Sequence, residues 1–148
     1  MFAALASDEC SLCPAGRAAG AESQQCAICP FGRSAATGSD VCTVCGPGSK
    51  AAPESEKCTA CPAGKFATES SWQCEHCESG TYSNNRSGLC IFCPAGKYAA
   101  PGSAQCNDCP AGRASDARSQ DCSLCPAGTF SNVEASIPMH FPQKLHRC

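Results

Sequence analysis

The sequence predicts a small disulfide-rich repeat protein: an elongated rod of tandem 16-residue loops with very short β-strands and little or no helix. Three observations predict it. Cys-x-x-Cys pairs recur every 16 residues, eight times without a slip, at Cys10/Cys13, Cys26/Cys29, Cys42/Cys45, Cys58/Cys61, Cys74/Cys77, Cys90/Cys93, Cys106/Cys109 and Cys122/Cys125. A strict period marks one small unit stacked end to end, which reduces the fold to one repeat and its neighbour. Cysteine supplies 17 of 148 residues, far above ordinary globular usage. Leu, Ile, Val and Phe together also number only 17, below the roughly 20% at which a chain usually buries a core.

Too little apolar area is available to offset chain entropy, so covalent links must take the place of a core. Disulfides persist mainly in oxidising compartments, which places the chain extracellularly or at the cell surface. Net charge is −2, with no basic patch for nucleic acid or an anionic membrane. No stretch reaches the ~20 apolar residues of a membrane span. The segment Met1 to Ala6 is apolar but lacks the basic flank of a signal peptide. The expectation is therefore a piece of a longer secreted protein, divided into a leader at 1–9, eight repeats over 10–137 and an atypical, poorly ordered tail at 138–148.

Each repeat reads Cys-x-x-Cys-Pro-Ala-Gly-(Lys/Arg)-x-(Ala/Ser), a variable turn, Ser, and two residues before the next Cys. Position seven is always glycine (Gly16, Gly32, Gly48, Gly64, Gly80, Gly96, Gly112, Gly128), as a backbone with positive φ requires. Proline two residues earlier in six repeats bars a helix and makes Pro-Ala-Gly a turn. Cys45-Gly46-Pro47-Gly48 departs from this and scrambles the turn. Position nine is aromatic at Phe66, Tyr82, Tyr98 and Phe130, with a small residue at position ten. A strand of two to four residues is expected there, its ring lying over a disulfide. The serine at position fourteen, from Ser23 to Ser119, is read as a side-chain-to-backbone turn bond. The basic residues after the glycine (Arg17, Arg33, Lys65, Lys97, Arg113) are read as a solvated face, and lone carboxylates such as Glu54 and Asp108 as solubilising.

Three pairing schemes fit the cysteine spacing. The first joins the second Cys of each pair to the first of the next: Cys13–Cys26, Cys29–Cys42, Cys45–Cys58, Cys61–Cys74, Cys77–Cys90, Cys93–Cys106 and Cys109–Cys122, with Cys125–Cys148 possible at the end. The second interlaces repeats, as in Cys10–Cys26 with Cys13–Cys29. The third closes each Cys-x-x-Cys on itself. Loop entropy favours the first: a loop of about 15 residues is worth ~3 kcal/mol, while a four-residue ring constrains almost nothing. All three remain open at this point.

The same spacing resembles paired zinc knuckles, which makes an intracellular multi-zinc protein an alternative. Against it stand the single-file period and the scarcity of histidine; His76 reads as a solvent-facing residue. Redox Cys-x-x-Cys sites sit at helix N-termini, whereas these run into a turn. No catalytic constellation recurs, so neither an enzyme nor a cofactor nor a metal site is expected. Asn85-Arg86-Ser87 is an N-glycosylation sequon in the fifth variable turn.

Units such as Cys93-Pro-Ala-Gly-Lys-Tyr-Ala-Ala through Cys106 resemble ephrin-receptor-like cysteine-rich repeats of extracellular proteins. Cys77-Glu-Ser-Gly-Thr-Tyr-Ser through Cys90 is also similar to the single-disulfide module of tumour necrosis factor receptors. That resemblance implies a Cys77–Cys90 bond and its repetition along the chain. It implies fold more than function. The expected role is an extracellular structural or adhesive spacer in a larger surface protein. The alternative is a ligand-binding receptor ectodomain with an exposed patch around Phe66 to Tyr98. Expected partners are other domains of the same longer chain, with an extracellular protein or glycan as ligand, and no nucleic acid.

Overall fold

A computed structural model describes residues 2–3 and 10–128. Phe130, the expected tail at 138–148 and Cys148 lie outside the described residues. No helix forms among the described residues; sixteen two-residue strands assemble as eight two-stranded sheets. Every regular hairpin has the same construction. A strand directly after the invariant glycine, such as Arg17–Ala18, pairs antiparallel with the two residues inside the next Cys-x-x-Cys, here Ala27–Ile28. The first hairpin differs, pairing Phe2–Ala3 with Cys10–Ser11.

The turn that opens each hairpin follows from its sequence. The Arg17 N–H donates to the Pro14 carbonyl at 3.2 Å, with Gly16 between them at φ 79°. Positive φ at the third residue defines a type II turn, which explains the glycine. Cys45-Gly46-Pro47-Gly48 does not scramble it. Ser49 N–H reaches the Gly46 carbonyl at 3.2 Å and Gly48 has φ 79°. Proline has merely moved to the second position, where a type II turn favours it.

The chain divides into two compact units, Met1–Pro62 with Phe66–Glu75 and Asn85–Leu89, and Ala63–Lys65 with His76–Asn84 and Cys90–Cys148. In the first, each repeat is stitched to the next through the backbone. Gly16 N–H donates to Ala35 carbonyl at 2.7 Å, Ala19 N–H to Ser39 carbonyl at 3.3 Å, and Glu54 N–H to Cys29 carbonyl at 3.2 Å. Ser34 and Ser55 form a parallel bridge, as do Phe66 and Ser87. The second unit repeats the scheme through Gly80 to Ala99 (2.8 Å), Ser83 to Ser103 (3.3 Å) and Arg118 to Cys93 (2.9 Å).

Contacts also reach two repeats along. Within the first unit, a Cβ at Gly16, Gly32 or Gly48 would overlap the backbone carbonyl of Glu54, Ser70 or Arg86; within the second, Gly64 and Gly80 stand in the same relation to Gly102 and Arg118. The expectation that one repeat touches only its neighbour is therefore corrected. These covering residues occupy position thirteen, where Glu54, Ser70, Arg86 and Arg118 hold φ of 60–66° and Gly38 and Gly102 take 79° and 74°. A second left-handed turn thus lies inside the segment read as variable.

The core is made of sulfur and methyl groups. Cys13, Cys29, Cys45, Cys61, Cys77 and Cys93 are at most 1% exposed, and Ala19, Ala35, Ala51, Ala67, Ser83 and Ala99 at position ten at most 3%. Residues there must be small because the closely stitched backbones leave no room for a larger side chain. The rings at position nine, Phe66, Tyr82 and Tyr98, are only half-buried.

Candidate functional site

The chemistry-bearing side chains of this protein are its cysteines. Their bonds join Cys13–Cys26, Cys29–Cys42, Cys45–Cys58, Cys61–Cys74, Cys77–Cys90, Cys93–Cys106 and Cys109–Cys122. These are the pairs of the first scheme. The hairpin explains why. Pairing Arg17–Ala18 with Ala27–Ile28 brings the chain on either side of the loop together, and the Cα atoms of Cys13 and Cys26 stand 5.6 Å apart, within normal disulfide reach. Cys125 is disulfide-bonded as well.

Cys-x-x-Cys is consequently a joint between loops. Its two middle residues form the outer strand of the preceding hairpin, and both are exposed in Ala27–Ile28, Thr59–Ala60, Glu75–His76, Ile91–Phe92 and Asn107–Asp108. Sulfurs joined in this way are not thiolates, so the paired-knuckle arrangement has no ligands to draw on in these seven bridges. His76 is exposed, as the sequence suggests, and lies against Gly102.

The basic residues after the glycine do more than face solvent. Arg17 pairs with Glu54 and Lys97 with Asp108, each at 2.6 Å. Arg33 donates to the Cys42 carbonyl at 3.1 Å and Arg113 to the Cys122 carbonyl at 2.9 Å. The reading of Glu54 and Asp108 as merely solubilising is corrected accordingly: both are ion-paired. Lys97 and Asp108 are register partners of one hairpin. Glu54 is brought to Arg17 by the two-repeat contact at Gly16.

Serine fourteen forms the expected turn bond at Ser55, whose Oγ donates to the Ala52 carbonyl, and at Ser103, which donates to Ala100, both at 2.7 Å. Its carbonyl has a further role, accepting from the position-ten N–H of the preceding repeat. Exposed rings lie away from position nine. Phe31 and Trp72, 58% and 55% exposed, meet edge to face at 6.0 Å, and the Arg118 guanidinium covers the exposed Phe92 ring at 3.5 Å. Asn85 is exposed on its turn.

Seven tandem disulfides, two-residue strands and the absence of helix among the described residues define a disulfide-rich cysteine-repeat protein. Residues 80–118 match the family described as tyrosine-protein kinase ephrin type A/B receptor-like. That segment holds the whole Cys93–Cys106 bridge and one cysteine of each bridge beside it, Cys90 and Cys109, and the same hairpin and bridge recur outside it. The module is a non-catalytic cysteine-rich repeat of extracellular type. No curated protein matches the chain significantly. No described helix is long and apolar enough to cross a membrane.

Proposed function

We propose that the chain is a non-catalytic extracellular spacer, a structural or adhesive segment of a larger cysteine-rich surface or secreted protein. Its partners are the domains joined to it in that protein. The observation that carries this reading is the covalent path through the ladder. From Cys13 the path crosses 5.6 Å to Cys26, and the next bridge begins three residues later at Cys29. Tension applied along the chain runs through sulfur and the short joints, and the hairpin loops stay out of line.

An extended residue spans ~3.5 Å, so a 16-residue repeat without its bridge stretches to about 55 Å. With the bridge it stretches to about 16 Å, the Cα separation plus three residues. Single-molecule extension of the oxidised and reduced chain measures the difference directly. Equal extension per repeat in the two states would overturn the spacer reading. The exposed Phe31–Trp72 pair favours a second reading, a ligand-binding ectodomain. It requires that Trp72→Ala abolish binding of the chain to cells that the unaltered protein decorates.

A further inference from the structure

The sequon Asn85-Arg86-Ser87 has no part in the spacer role, yet its setting in the fold is informative. We infer that Asn85 carries an N-linked glycan, added to the chain before the Cys77–Cys90 loop closes. The inference rests on the secretory placement proposed above. Asn85 is exposed and lies between the two cysteines of that loop, so a sugar there points away from the sulfur core. The neighbouring Arg86 is held through its backbone. Arg86 N–H donates to the Cys61 carbonyl at 2.9 Å, and the Arg86 carbonyl covers Gly48. No sequon occupies the matching position of another repeat, where Pro53, Glu69, Pro101 and Ala117 stand.

The timing follows from Ser87. A transferase reads the sequon as an extended or turned segment with the serine hydroxyl within reach of the asparagine amide. In the folded chain Ser87 is half-buried and locked in a parallel bridge to Phe66, its carbonyl held by Ala67 N–H at 3.2 Å. Arg86 is fixed at φ 60°. The folded backbone cannot be drawn into a transferase without breaking these bonds. In the reaction, Nδ2 of Asn85 forms a bond to C1 of an oligosaccharide carried on a polyprenyl pyrophosphate. The bond from C1 to the pyrophosphate oxygen breaks, the lipid pyrophosphate leaves with the bonding pair, and an amide proton is released to solvent.

Two experiments decide the matter. The full chain is secreted from eukaryotic cells behind a heterologous signal sequence, and its intact mass is compared before and after peptide N-glycosidase. The expected result is a mass loss, with Asn85 converted to Asp, that is absent in Asn85→Gln and in Ser87→Ala. Secreted, correctly bridged protein with unmodified Asn85 would overturn the glycan and leave the spacer reading intact. Failure of the chain to acquire its bridges in that compartment would count against the spacer reading. In the second experiment, solubilised microsomal transferase and lipid-linked oligosaccharide are supplied to unglycosylated protein, reduced or fully oxidised. The reduced chain is expected to accept the sugar at least tenfold faster. Equal rates would overturn the timing, and no transfer to the reduced chain would overturn the site itself.

Discussion

Gly64 and Gly102 meet backbone to backbone across two repeats, the carbonyl of Gly102 lying where a side chain on Gly64 would begin. Gly64 also holds φ 82°, so two independent constraints act on one residue.

These constraints can be separated by substitution. Gly112 has nearly the same φ, 79°, but none of the described residues lies within 4 Å of a Cβ placed there; Gly46 has neither constraint. Gly112→Ala should cost about 1 kcal/mol for its left-handed backbone. Gly64→Ala should cost several times as much, because backbone must move. Gly46→Ala should lie within about 0.5 kcal/mol of the unaltered protein. Urea unfolding with the disulfides intact gives the ranking, and equal costs at Gly64 and Gly112 would refute the two-repeat contact.

Position ten sets the permitted size of the core. Ala99 is fully buried, its N–H on the Ser119 carbonyl and its carbonyl accepting from Gly80. Ala99→Leu forces three extra carbons into a closed space and should destabilise by about 3 kcal/mol. Ala100→Leu, one residue on and exposed, should change stability by no more than about 0.5 kcal/mol. Thermal unfolding of the two variants in parallel makes the comparison.

Left-handed strain at position thirteen offers a stabilising change. Ser70 holds φ 62°, while Gly38 and Gly102 fill the equivalent place in other repeats. Ser70→Gly should raise stability by about 0.5–1 kcal/mol, and Ser70→Val should lower it by more than 1 kcal/mol. A fall in Tm for Ser70→Gly would show that the serine side chain outweighs the backbone.

The covalent ladder gives the most direct chemical readout. Each bridge closes a loop of sequence separation 13, worth about 3 kcal/mol. Reductant should therefore unfold the protein under conditions where a chelator leaves its circular dichroism unchanged. Trypsin digestion of the denatured, unreduced protein should return peptides joined through Cys61–Cys74, with cleavage inside the loop at Lys65. A Cys10–Cys26 crosslink would replace the ladder by the interlaced scheme.

What the sequence revealed and what it concealed divide by contact range. The turn at Gly16 and the loop Cys13–Cys26 are local, and residue type alone identifies both. The Lys97–Asp108 pair was open to inference once the hairpin register was drawn, since the two are direct partners. Glu54 was not, because nothing in its own repeat places it beside Arg17. The left-handed turn at position thirteen was masked by Glu54, Ser70, Arg86 and Arg118, residues that rarely accept positive φ; Gly38 and Gly102 were its only signal. Serine fourteen displays its side-chain bond through its residue type, whereas the bond from its carbonyl belongs to the backbone and leaves no mark on composition.

The cover over the turn glycines Gly16, Gly32, Gly48, Gly64 and Gly80, drawn from two repeats further on, has a consequence for how such a chain can change length. Gain or loss of a whole 16-residue period leaves those glycines beneath an equivalent carbonyl. An insertion of any other length delivers a side chain or a gap to that place. Length in this architecture therefore changes without disturbing the cover only in whole repeats. The shortest excised piece in which any glycine is covered contains three repeats, and its last two always wait for chain that was cut away.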